Sequence, residues 1–147
     1  MADDSGMANA GDNQTNGAGS GPNGEAEETI AELFDDYLAG FNDFDAERIC
    51  DCFALPTTIW QHEKGHVFND EEELLENVEA LLAALEKEGV LNSDFQVVSS
   101  HVSSSSALVT LDWSQESSDG DVVFEFTCHY QLIQDGSDWL IAMIVNE

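Results

Sequence analysis

The sequence predicts an α+β domain, with helices gathered in its first half and antiparallel strands in its second. Three observations carry that prediction. Apolar residues recur at the helical period in two segments, Ile30 to Phe41 and Leu74 to Leu85. Between residues 121 and 133 they alternate strictly instead, as in a half-buried strand. The segments between these patterns carry turn chemistry, at Glu63-Lys64-Gly65, Ser103 to Ser106 and Asp135-Gly136-Ser137.

In chain order, residues 1–26 come first, rich in Gly, Asn, Ser, Asp and Ala. They have too little to bury to offset their ordering entropy, so a disordered tail is expected there and a single folded domain over 27–147. A first helix is expected over 27–42, because Ile30, Leu33, Phe34, Tyr37, Leu38 and Phe41 form one stripe. A second is expected over 46–54, with Asp45 as N-cap, Phe44 as a hydrophobic staple and Pro56 ending it. Thr57 to His62 and His66 to Phe68 read as two short strands, with Gly65 supplying a positive φ in the turn between them. The long helix over 70–88 begins at a capping box, Asn69 or Asp70 with a Glu three residues on. It buries Leu74, Leu75, Val78, Leu81, Leu82 and Leu85 and stops at Gly89. Strands follow at 95–102, 107–113, 121–133 and 138–145. In the third, Val122, Phe124, Phe126, Cys128, Tyr130 and Leu132 share a face; the fourth is apolar on both faces.

The 147 residues are enough for one self-sufficient core. Their charge is extreme: 31 Asp and Glu stand against 3 Lys and Arg, a net −28. Arg48, Lys64 and Lys87 cannot build a basic patch, which excludes sequence-independent binding of nucleic acid and of anionic membranes. The acid is spread through the chain, 6 residues in 1–28 and 25 in 29–147, so it is not a dedicated tail. Such self-repulsion destabilises a compact state at ordinary ionic strength and is screened at molar salt, where the Debye length is about 3 Å. The expectation is a protein of a salt-rich cytoplasm, as in halophilic archaea. The rival is an acidic surface made for a cationic partner. Cys50, Cys52 and Cys128 read as reduced thiols packed in the core.

The order of elements, together with Phe41-Asn42-Asp43-Phe44-Asp45-Ala46, the hairpin before the long helix and the closing Trp139-Leu140-Ile141-Ala142-Met143-Ile144, resembles the nuclear-transport-factor-2-like superfamily. Its SnoaL-like and ketosteroid-isomerase-like groups are the nearest in pattern, over about residues 27–147. The resemblance implies a cone-shaped fold, a strongly curved antiparallel sheet packed on three N-terminal helices with a pocket at the wide end. It also implies dimers joined through the outer face of the sheet. Isomerases, hydratases, cyclases and non-enzymatic binding modules share that fold, so the fold does not choose among them.

Candidate site residues follow. Tyr37, Phe41, Trp60, Phe124 and Phe126 are expected to line the pocket, with His62 or His101 as polar tether; His101 shares strand parity with Phe95 and Val97. In ketone-acting relatives a strand aspartate is the base, and its place here falls near Gln61, which cannot take a proton. A shift of one residue brings His62 there as base, with Tyr37 as the oxyanion donor. His62-Glu63-Lys64-Gly65-His66 matches H-E-x-x-H, but the β-branched run before it and the glycine within it argue for a hairpin, not a zinc-binding helix. In a hairpin the two histidines flank the turn. His129 is expected on the outer face, and no metal or cofactor is expected. The preferred function is a small-ligand-binding or dimerisation module with a hydrophobic ligand. The alternatives are a cofactor-free isomerase, hydratase or cyclase on a small ketone-like substrate, and an interaction module using the outer sheet face.

Overall fold

The structure, a computed structural model, describes residues 22–147; of the tail expected to be disordered, 1–26, residues 1–21 lie outside the described residues and 22–26 belong to the first helix. Helix α1 spans Pro22–Asn42 and so begins before the expected Glu27. Proline suits a first helical turn, where its missing N–H would have had no partner. The stripe Ile30, Leu33, Phe34, Tyr37 and Phe41 is buried as the periodicity requires. Gly40 lets the next helix cross closely: a Cβ there would stand 2.6 Å from Ile49 Cγ1.

Helix α2 covers only Ala46–Cys50, with Asp45 accepting from the Arg48 N–H as its N-cap. It is shorter than expected because Phe53 is already in the sheet, where the Ile141 N–H donates to the Cys52 carbonyl at 2.8 Å. Strand β1 is Phe53–Gln61 and β2 is Lys64–Phe68. Pro56 does not end a helix. It lies in β1 within the irregular stretch between Phe53 and Thr58, where a missing ladder donor is tolerated. Helix α3, Glu71–Lys87, starts at the reciprocal cap read in the sequence. Asp70 accepts from the Glu73 N–H at 2.9 Å, and Glu73 accepts from the Asn69 N–H at 2.9 Å. Four long strands complete the chain: β3 Val90–Val102, β4 Ser106–Ser117, β5 Val122–Asp135 and β6 Asp138–Asn146.

The six strands form one curved, unclosed sheet in the order β2-β1-β6-β5-β4-β3. Neighbours are antiparallel except β1 and β6, which run parallel, so the all-antiparallel expectation is corrected at that pair. The helices pack on the inner face. Leu74, Leu111, Leu132 and Ile141 are fully buried there, each burial contributing roughly 1.5–3 kcal/mol. A polar clamp ties the end of α1 to β3: the Ser93 N–H donates to Asn42 Oδ1 at 2.7 Å, and Asn42 Nδ2 donates to the Ser93 carbonyl at 3.1 Å. Buried Gln115 donates to Ser93 Oγ at 3.2 Å and completes it.

Candidate functional site

A pocket is expected in the interior, between the helices and the sheet. Tyr37 is buried, and its ring meets those of Phe34, Phe41, Phe53, Trp113 and Tyr130 at centroid distances of 5.1–6.3 Å. Trp113 stacks on half-buried Phe126, and its indole N–H donates to the Tyr130 hydroxyl at 2.9 Å. Rings therefore occupy the space between α1 and the sheet. Burial holds the Tyr37 hydroxyl far above the usual tyrosine range, nearby Cys128 and Cys52 push the same way, and a hydrogen bond with Tyr130 opposes them. Burial likewise raises Tyr130. Both phenols are held neutral within the core.

The remaining site residues do not converge on Tyr37 and Phe41. Phe124 is 39% exposed at the end of β5. Trp60 lies on the outer face, in register with Val145 of β6. His62 and Glu63 form the two-residue hairpin loop, with φ of 53° and 66°. A two-residue loop between right-twisted strands needs positive φ at both positions, and His62 adopts it more readily than most residues. Gly65, expected in the turn, instead opposes Trp60 within the hairpin; a Cβ there would stand 2.8 Å from the indole Cε2. His66 opposes Ile59 and not His62, so the two histidines of the H-E-x-x-H match share no face. Among the described residues no three His, Cys, Asp or Glu side chains are grouped to hold a metal ion.

His101 is displaced by a bulge. The β3–β4 register shifts between Val97 and Ser99, so Val97 opposes buried Leu111 but His101 opposes outward Leu108. One extra residue reverses the face of everything beyond it. The same device acts in β6, where the register shifts opposite Gln131/Leu132 and turns Ile144 inward beside Ile141. Met143 and Val145 then face outward, off the face that Ile141 takes.

These shifts assemble the outer face. One row runs unbroken across all six strands, Gly65, Trp60, Val145, His129, Thr110, Ser99; the next is Val67, Thr58, Met143, Gln131, Leu108, His101. Neither row contains a carboxylate, in a chain where 31 of 147 residues are Asp or Glu. Trp60, Val67 and Leu108 are 43%, 58% and 59% exposed. Within the first row His129 is held at both nitrogens, Nδ1 with Thr110 Oγ1 at 2.9 Å and Nε2 with Glu147 Oε2 at 2.6 Å. Asp112, just beyond the rows, accepts from the Thr127 hydroxyl at 2.7 Å. Sequence reading placed His129 outward but missed Val67, Thr110, Leu108 and Glu147. The available signal was the lack of any acid in the stretches 53–62, 95–111, 126–134 and 139–146.

A cleft of about 310 Å³ lies between α1, α2 and the start of β6. Glu32, Asp36, Asp51 and Asp138 rim it over a floor of Leu33 and Trp139. Arg48, also in its wall, is tethered to Asp36 at 3.1 Å and Asp43 at 3.7 Å. No helix among the described residues is long and apolar enough to cross a membrane.

Comparison with known proteins gives the fold a setting. The family model described as NTF2-like protein (DUF6841) matches residues 26–147. An NTF2-like protein of unknown function from Shewanella oneidensis superposes with a TM-score of 0.66 at 16% identity, over 82% of this chain and 98% of that one. A domain of unknown function with a cystatin-like fold from Nostoc punctiforme gives 0.69 at 15% identity, over 82% and 75%. A candidate dehydratase of the NTF2-like family from Streptomyces avermitilis gives 0.60 at 14% identity, over 81% and 92%. No curated protein matches the chain.

Proposed function

The chain belongs to the NTF2-like protein family DUF6841, and from that premise we propose that it is a dimerisation module whose two copies pair through the outer faces of their sheets. The observation that carries this reading is the pair of uncharged rows crossing the sheet from edge to edge. The occupant follows from charge. A second copy carries the same −28, so contact through its acidic surface would set carboxylate against carboxylate. On its own uncharged rows it meets apolar side chains without that repulsion. A two-fold pairing of identical patches is also the commonest form of oligomer, and exposed apolar patches of this kind mark interaction sites.

Light scattering in concentrated KCl tests the reading. The wild type is expected at twice the chain mass, and Leu108→Glu and Val67→Glu, both at exposed positions, are expected to be monomeric with unchanged circular dichroism. A monomeric wild type, or a dimeric Leu108→Glu, would overturn it. The salt-rich setting belongs to the same proposal, because screening is what lets two such copies approach.

The cleft beside Trp139 supports a second reading, a small-ligand site, since its volume lies at the lower end of the range for ligand pockets, about 300–1,000 Å³. Ligands that raise the melting temperature of the wild type but not of Asp51→Arg, at the exposed rim, would support it; ligands that act on both equally would count against it. Isomerase-type catalysis by His62 and Tyr37 has no such support. One residue is at the exposed tip of the hairpin and the other is enclosed by rings, and acid–base chemistry needs both within reach of one substrate.

A further inference from the structure

We propose that the two copies pair reversed end for end. The two-fold axis runs across the strands, between the row of Trp60 and the row of Thr58, and lays each row over the other row of the second copy. The inference rests on the face-to-face pairing proposed above and adds which side chains meet. Two independent features of the outer face carry it, the placing of its acid and the sizes of its side chains.

Acid borders the uncharged rows at both ends of the strands, but not equally closely. Beside the row of Trp60 come Gln96, Asp112, Thr127 and Glu147, the last with both its side-chain and its backbone carboxylate. One row farther, Asp94 and Glu125 flank Ser114. The hairpin tip at this end adds Glu63 and Lys64, of opposite charge. Beside the row of Thr58 stand Ser106 and Ile133, which carry no charge; Asp135 and Asp138 come only after them. An axis along the strands would set like end over like end, so that Asp112 and Glu147 of both copies shared one row, and like charges in an interface disfavour contact. An axis across the strands lays Asp112 and Glu147 over Ser106 and Ile133 instead. Asp94 and Glu125 then approach Asp135 and Asp138 only at the outer margins, about 17 Å from the axis at the rise of an extended strand, where salt screens exposed charges.

The same reversal fits large side chains to small ones. With the axis between the rows, each residue lies over its neighbour two positions away, on the same strand of the second copy. The exposed side chains of Val67, Trp60 and Leu108 then meet Gly65 on β2, Thr58 on β1 and Thr110 on β4, and His101 meets Ser99 on β3. The two middle strands match like with like, Val145 over Met143 and His129 over Gln131. An axis along the strands, between β6 and β5, would set Val67 against His101 and Gly65 against Ser99, overfilling one place and leaving another hollow. Sheets that pack face to face, about 10 Å apart, fill the space between them by interdigitation.

Mixtures of full-chain variants in concentrated KCl test the arrangement. The reversed dimer sets position 108 of one copy over position 110 of the other, whereas an axis along the strands sets 108 over 58. Sedimentation equilibrium should therefore find that Leu108→Glu associates with Thr110→Lys about tenfold more tightly than with Thr58→Lys. Cross-linking asks the same question without added charge. A short bismaleimide reagent should join Leu108→Cys to Thr110→Cys, identified by a mass label on one chain. It should not join Leu108→Cys to Thr58→Cys, which would lie three strands, about 14 Å, apart sideways. All three positions are on the outer face, so no variant reaches the core. A preference for position 58, or no preference in a chain that still dimerises, would overturn the reversed arrangement while leaving the dimer. A monomeric wild type would overturn the dimer reading itself, and this arrangement with it.

Discussion

Gly40 and Gly65 show how a residue's role depends on what approaches it. Alanine favours helices over glycine by roughly 1 kcal/mol, which alone would make Gly40→Ala stabilising. Its Cβ would stand 2.6 Å from Ile49 Cγ1 and 3.2 Å from the Ile49 nitrogen, inside a packed helix crossing. Overpacking of that kind costs about 1–3 kcal/mol and outweighs the propensity. Urea unfolding should therefore find Gly40→Ala less stable than wild type, and Gly65→Ala less affected, because the Trp60 ring it meets is half-exposed and free to shift. The cysteines supply a second residue-scale prediction. Burial pushes Cys50 and Cys128 up to about 11 and Cys52 up to about 12, with neighbouring carboxylates adding to Cys50 and Cys52. Folding thus favours the protonated thiols, so their contribution is intact below the unfolded value of 9 and is lost as pH rises through 11–12. Alkaline melts should show stability declining from about pH 9, and a thiol reagent at pH 8 should label the three cysteines only in the denatured chain. The core cysteines were legible from sequence, because small apolar side chains fitted the helix and strand patterns. The function of Gly65 was not, because Trp60 becomes its neighbour only once the hairpin closes at His62 and Glu63.

Among the elements, α3 is the one whose start and finish local chemistry dictates. Its N-cap Asp70 and the returning Glu73 satisfy donors that a helix end leaves unpaired. Asp70→Ala should lower stability by about 1 kcal/mol, read as a shift in urea midpoint with the slope unchanged. Strands behave differently. Alternation correctly predicted the inward set Cys128, Tyr130 and Leu132 on β5, where the pairing is regular through that stretch of β4. It failed on β3, where a bulge near Val98 inserts a residue and reverses the parity, and it left β6 open, where a bulge near Ala142 does the same. In β6 no polar residue marked the reversal, since Leu140 to Val145 is apolar throughout. α2 fell short for a related reason: the sheet claims Phe53 as a partner for Ile141, and tertiary pairing overrides the local preference.

For the whole molecule, charge and face are coupled. A net −28 opposes compaction and association at low ionic strength. Both the melting temperature and the dimer fraction should rise steeply as KCl goes from dilute to molar. A melting temperature indifferent to KCl would remove the salt-adapted reading of the acid. Each identical copy would add its own charge, so the face that pairs must be the one the acid avoids. Those uncharged positions are scattered through six segments of sequence, from Thr58 to Val145, and become one surface only when the strands align.

The α+β class, the buried stripes of α1 and α3, the hairpin, the run of long strands and the burden of charge were all legible along the chain. These depend on periodicity and composition, which are properties of residues close along the chain. The tertiary structure alone decided where His101, Trp60 and Ile144 point, that β1 runs parallel to β6, that rings fill the space behind Tyr37, and that Thr110, His129 and Glu147 meet. Each of those depends on strand register, and register is set by contacts between residues far apart in sequence, where one bulge changes the face of every side chain after it.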